Sequence, residues 1–209
     1  MGSVILIRPR DDAASRQASD WGDSLRNTFA GIGHTIAANA DDTTPPDRVN
    51  ILRALGKAAD LVCYFGHGDE KSWLTNAGQT LDARNVTTLR KKTIVSVACK
   101  TACTLGPDAI TAGAECWLGF TISVPVISPH KTADPIGDAI VDGLAVLSSK
   151  GTMQQARDKI FSLLDQVVTD YDTSGPYSGH PEAKLGYYAA MALRDHVVVQ
   201  GNVNFQPLP

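Results

Sequence analysis

Two runs decide how this chain folds: Asp60-Leu61-Val62-Cys63-Tyr64-Phe65-Gly66-His67-Gly68 and Thr93-Ile94-Val95-Ser96-Val97-Ala98-Cys99-Lys100-Thr101-Ala102-Cys103. Each is an apolar run of strand length that breaks off at a reactive side chain, His67 in the first and Cys99 in the second. Runs this continuous suit parallel strands covered on both faces. Ligands of such sheets gather outside the carboxyl ends of the strands, where both residues stand. If the two strands are neighbours, about 4.8 Å apart, they deliver an imidazole and a thiol to one crevice.

Upstream, Val4 to Ile7 reads as a strand closed by Pro9 and Asp11-Asp12, which look like loop and cap residues. Ala14, Ala18, Trp21, Leu25 and Phe29 then recur at three- and four-residue steps, the period of a helix with one face inward. A weak strand over 34–38 follows, and Asp47 caps a helix whose inward positions are expected at Val49, Leu52, Leu55 and Ala59. Between the two deciding runs, Trp73 to Leu81 reads as a hairpin turning at Asn76-Ala77-Gly78, and Asp82 to Arg90 as a short helix. Downstream, a helix is expected over 108–112 and a fifth strand over 115–124. Asp134-Pro135 and Thr152-x-x-Gln155 each open a helix, the second with a capping box. A last helix to about Arg194 leads to Val197-Val198-Val199, an edge strand beside the fifth. This alternation predicts an α/β fold, a three-layer sandwich with a mostly parallel central sheet and a flavodoxin-like core, with 1–209 as a single domain.

A net charge of −3 and a pI near 5.9 supply no basic field for a phosphate backbone, so nucleic acid is not expected as a direct partner. No apolar run approaches the roughly 20 residues of a membrane span, and the N-terminus carries no secretion signal. A cytoplasmic location follows as the expectation. The four cysteines, Cys63, Cys99, Cys103 and Cys116, then read as free thiols, and no paired Cys/His spacing calls for zinc. Neither a metal nor a cofactor is expected.

A thiol is a strong nucleophile that is mostly protonated near neutrality, so an adjacent imidazole that takes its proton activates it. Attack on a peptide carbonyl then builds an oxyanion in need of preorganised donors. Gly68, with no Cβ, offers an unobstructed N–H, and the Cys99 N–H is a natural second donor.

An apolar strand ending in His-Gly, followed by another ending in Ala-Cys, resembles the caspase-like cysteine peptidases: caspases, metacaspases, gingipains, legumains, separases and the bacterial CHAT proteins. Tyr64-Phe65-Gly66-His67-Gly68 and Val97-Ala98-Cys99-Lys100-Thr101-Ala102 are most similar to the CHAT and gingipain end of that group. The resemblance implies a caspase-like fold and a cysteine endopeptidase working through a Cys-His dyad and a thioester acyl-enzyme. It makes Cys99 the nucleophile, His67 the general base and acid, and Gly68 with Cys99 the oxyanion donors. It implies no metal, a protein or peptide substrate, regulated proteolysis, and a regulatory protein partner.

The substrate rim is less legible. Arg8 and Arg10 would favour an acidic residue before the scissile bond, Asp69, Glu70, Asp11 and Asp12 a basic one, and Trp117 with Phe120 an apolar wall. Cys63 and Cys116 read as core, Cys103 as packing, and His130 as the fallback base. The alternative reading is a catalytically silent caspase-like or flavodoxin-like module that binds a protein or nucleotide at the same crevice. A phosphatase is disfavoured because the residues after Cys99 lack an arginine and a glycine-rich phosphate cradle.

Overall fold

The computed structural model describes residues 1–125 and 134–209. In chain order the elements begin with β1 (Ser3–Ile7), α1 (Ala13–Gly31), β2 (Thr35–Ala40), α2 (Arg48–Leu55), β3 (Leu61–Phe65), β4 (His67–Gly68), β5 (Trp73–Thr75) and β6 (Gly78–Leu81). They continue with β7 (Thr93–Val97), α3 (Leu105–Thr111), β8 (Cys116–Phe120), α4 (Pro135–Ala145), α5 (Met153–Tyr171), α6 (Ala183–His196) and β9 (Val197–Gly201). Six strands form the central sheet in the order β2-β1-β3-β7-β8-β9, every pair parallel except β8 with β9.

Strand side chains alternate between faces, and the two faces feed two separate cores. Val4, Leu6, Cys63, Phe65, Val95 and Val97 point to the layer of α1, α4, α5 and α6. Ile5, Ile7, Val62, Tyr64 and Ile94 point to α2, α3 and the β5–β6 hairpin. Leu25 and Phe29 of α1 are fully buried, worth about 1.5–3 kcal/mol each by transfer from water. Helix starts follow the caps legible in the sequence: Asp134 accepts from the Gly137 N–H, and Thr152 and Gln155 form the expected reciprocal box. Among the described residues no helix is long and apolar enough to cross a membrane.

Several boundaries differ from the sequence expectation. The inward face of α2 is Ile51, Ala54 and Leu55, which join Ile5, Ile7 and Val62 of the sheet in one core, while Val49 is 62% exposed. Only Val86–Leu89 winds, as a 3-10 turn, because Asp82 and Asn85 bind backbone groups and hold 82–85 as a turn. Helix α3 begins before Pro107, which sits in the first turn where no intrahelical N–H is needed. Strand β8 ends at Phe120, four residues early, since Ile122 turns to accept from the Lys100 N–H (2.8 Å).

Candidate active site

Phe65 and Val97 are opposite each other in the β3–β7 ladder, and the Gly66 N–H extends it by donating to the Val97 carbonyl (3.2 Å). His67 and Cys99 each lie two residues further on, so they emerge at the same height from adjacent strands. Both face α1, whose residues line one cleft with them. The first turns of α1 present Ala14, Ser15, Ala18 and Trp21 there, and these residues close a cleft of about 240 Å³ with Gly66, His67, Val97, Cys99 and Val124. Small side chains on the helix leave the space; a bulkier Ala14 or Ala18 would fill it.

His67 is more tightly held than a strand-end residue alone would be. With Gly68 it forms β4, which pairs with β5 in a three-stranded sheet where the sequence predicts only the hairpin. The buried Tyr64 hydroxyl lies 2.7 Å from both the His67 and Leu74 carbonyls, and its ring stacks on Trp73. Burial pushes the Tyr64 phenol well above its usual range, so it remains a donor. The His67 ring is 38% exposed, and its Nε2 lies 2.9 Å from Asp12 Oδ2. A carboxylate only accepts, so this contact places the proton on Nε2 and leaves Nδ1 free to take another.

Asp12 is a residue whose second role the sequence did not reveal. As the cap of α1 it accepts from the Ser15 N–H while Ser15 Oγ accepts from the Asp12 N–H, and its other oxygen faces His67. The Ser15 N–H, ahead of the His67 contact, holds its carboxyl down at about 2 against an ordinary 3.8. A depressed carboxyl stabilises the fold fully above its ordinary pKa and loses that contribution as pH falls through about 2. Asp12 therefore stays anionic across any neutral or mildly acidic working range.

Cys99 sits on a tight turn that Lys100 makes possible by adopting a left-handed conformation (φ 57°). Its Sγ accepts from the Val124 N–H at 3.3 Å. The Lys100 and Ala102 N–H groups donate to the Ile122 and Phe120 carbonyls (2.8 and 3.2 Å), tying the turn to the end of β8. Cys99 is half-buried, whereas Cys63 and Cys116 are fully buried. Burial raises both core thiols, Cys116 to about 12, which makes them poor nucleophiles. Gly68 packs directly on this turn: a Cβ there would lie 2.6 Å from Thr101 Cγ2 and 3.0 Å from Ala98 Cβ. Because Asp69 donates to the Ser72 carbonyl, Gly68 and Trp73 form a non-hydrogen-bonded pair, and the Gly68 N–H points away from β5.

Other expected rim residues are placed differently. Arg8 is 2% exposed and spent on Asp23 (2.7 Å), Asp41 (2.9 Å) and Asn39, bracing the ends of β1 and β2 rather than meeting a substrate. Phe120 and Trp117 are fully buried because β8 is a central strand, so neither forms a wall. Asp69 does reach the surface, lining a shallow hollow of about 300 Å³ with Glu70, Lys71, Gln79 and Lys100. His130, the fallback base, lies outside the described residues.

Similarity to known proteins is structural. No family model and no curated protein matches the chain. The chain is similar to the complex of Porphyromonas gingivalis RgpB pro- and mature domains, with 17% identity and a TM-score of 0.65 over 99% of this chain and 48% of that one. It is also similar to the Arg specific cysteine proteinase gingipain R (16%, 0.63, 99% and 47%). A third likeness is a secreted C11 cysteine protease from Bacteroides thetaiotaomicron in complex with an irreversible peptide inhibitor (14%, 0.50, 87% and 62%). The chain thus spans about half the length of the first two structures. The fold is the caspase-like fold of these proteases, with its mostly parallel six-stranded sheet between helical layers.

Proposed function

We propose that this chain is a cysteine endopeptidase that hydrolyses peptide bonds through a Cys99–His67 dyad. The observation that carries the reading is the convergence of His67 and Cys99 on one cleft, at matched ends of adjacent parallel strands. The caspase-like fold, shared with cysteine proteases, agrees with it.

In the proposed cycle His67 Nδ1 takes the Cys99 proton, and the thiolate attacks the carbonyl carbon of the substrate. The Gly68 and Cys99 N–H groups receive the oxyanion. Collapse breaks the C–N bond, His67 returns the proton to the departing amine, and a thioester remains. Water, deprotonated by the same imidazole, then attacks the thioester and releases the acid product and the thiol. Asp12 acts through His67, holding its tautomer and stabilising the imidazolium. A pro-segment or partner protein covering the cleft is the form of control we propose, by analogy with the paired pro- and mature domains among the similar structures.

The experiment that tests the assignment is covalent trapping with peptidyl chloromethyl ketones of varied sequence, followed by mapping of the modified residue. The label is expected on Cys99. A label on Cys103, or none on any thiol while iodoacetamide reacts at Cys99 no faster than at a free thiol, would sink the reading in favour of a silent binding module.

Asp12→Asn separates orientation from capping. Asparagine caps helices as well as aspartate but lacks its charge, so a modest loss of thermal stability is expected above the ordinary carboxyl pKa, softened by the exposure of the group. Its amide, however, can donate to Nε2 and so drive the proton to Nδ1, turning the base away from the thiol. A loss of about tenfold to a hundredfold in kcat with little change in KM is expected, less than for a buried triad carboxylate because Asp12 is 56% exposed. An unchanged kcat would leave Asp12 as a cap only.

A further inference from the structure

Ser96 is a polar side chain in the middle of the apolar run of β7, and it is fully buried. It is the centre of a short relay of hydrogen bonds beneath the Cys99 turn. Trp73 Nε1 donates to Ser96 Oγ (3.0 Å), Ser96 Oγ lies 2.9 Å from Thr101 Oγ1, and Thr101 Oγ1 donates to the Ala98 carbonyl (3.4 Å). The Ala98 carbonyl only accepts, so it takes the single Thr101 hydroxyl proton and Ser96 donates to Thr101; with the indole N–H at the far end, the protons line up from Trp73 through Ser96 and Thr101 to the Ala98 oxygen.

The end point of that relay matters. The Ala98 carbonyl and the Cys99 N–H belong to one planar trans peptide unit, so a donor that fixes the carbonyl also fixes the direction of the N–H on its opposite edge. The other face of Thr101 does related work: its Cγ2 occupies the space a Gly68 side chain would need. One fully buried residue therefore contacts the peptide that carries the Cys99 N–H and the glycine that carries the Gly68 N–H.

We infer that Thr101, oriented by Ser96 and Trp73, is a positioning residue that sets the angle and separation of the two oxyanion donors. The inference rests on the Cys99 peptidase reading and adds a residue to it. Thr101 touches no reacting atom; it acts through the Ala98–Cys99 peptide and through the seat of Gly68.

Two reactions at one sulfur test it. Acylation of Cys99 by 4-nitrophenyl acetate forms an S–C bond at the ester carbonyl and passes through an oxyanion before 4-nitrophenolate leaves. Alkylation by iodoacetamide displaces iodide at a saturated carbon and forms none. Thr101→Val keeps the methyl group and removes the hydroxyl. It is expected to slow acylation by about tenfold to a hundredfold, the usual penalty for misaimed transition-state donors, while alkylation keeps the parent rate. Thr101→Ser restores the hydroxyl and should recover acylation relative to Thr101→Val. Ser96→Ala, which cuts the relay one bond earlier, should show the same split and serves if Thr101→Val fails to fold by circular dichroism. Variants that acylate as fast as the parent, or in which acylation and alkylation fall together, overturn the inference. A parent protein whose Cys99 is alkylated but never acylated overturns the peptidase reading itself.

Discussion

Replacing Cys99 with alanine is expected to abolish peptide hydrolysis, a loss on the order of 10⁶-fold in kcat, as removal of an attacking side chain does in acyl transfer. The expectation is this large because none of the other three thiols can substitute. Cys63 and Cys116 are buried with raised thiol pKa values, and Cys103 directs its sulfur at the Thr121 carbonyl (3.2 Å) rather than lining the cleft. A peptide library profiled with parent, Cys99→Ala and Cys103→Ala proteins reads the effect directly. Cys103→Ala should cleave at the parental rate with the parental preference. Cleavage by Cys99→Ala at that rate would mean that the chemistry resides elsewhere or in a contaminant. The fold should not suffer, because Cys99 is only half-buried and the turn is held by backbone bonds from Lys100 and Ala102.

His67→Ala should cost about 10² to 10⁴-fold in kcat, the range over which a positioned general base and acid contributes. The loss is smaller than for Cys99 because a thiol retains some nucleophilicity unaided. Iodoacetamide alkylation of Cys99 should slow as well, since it depends on the thiolate; this distinguishes His67 from Thr101, whose removal spares alkylation. The vacated space opens onto the cleft, so added imidazole is expected to restore part of the rate. A His67→Ala protein with parental kcat and alkylation rate would remove the imidazole from the mechanism.

The site at the two strand ends depends on contacts of very different sequence range. The strands over Leu61–Phe65 and Thr93–Val97 were legible because continuous apolar runs, bounded by turns, are local properties. So were the start of α1, from the spacing of Ala18, Trp21, Leu25 and Phe29, and the box at Thr152 and Gln155. The phase of α2 differs because alternate apolar faces compete in a short helix, and packing against the sheet rather than periodicity decides between them. Arg8 looked like a rim residue because charge after a strand usually meets solvent. Its partners Asp23 and Asp41 come from α1 and from just past β2, a convergence that no window of sequence displays.

By itself the sequence determined the layers, the parallel sheet, and the pairing of His67-Gly68 with Cys99 as the place to look. It did so because hydrophobic period, capping and turn chemistry act over a few residues, and strand ends in such a sheet share one edge. Tertiary structure alone decided that β3 and β7 are neighbours in matched register, that Asp12 faces His67 from 55 positions away, and that Thr101 lies beneath both Gly68 and the Ala98–Cys99 peptide. Those are angles and distances between segments remote in the chain, set by how the layers pack. Packing depends on the shape of every side chain in the core at once, which no local pattern encodes.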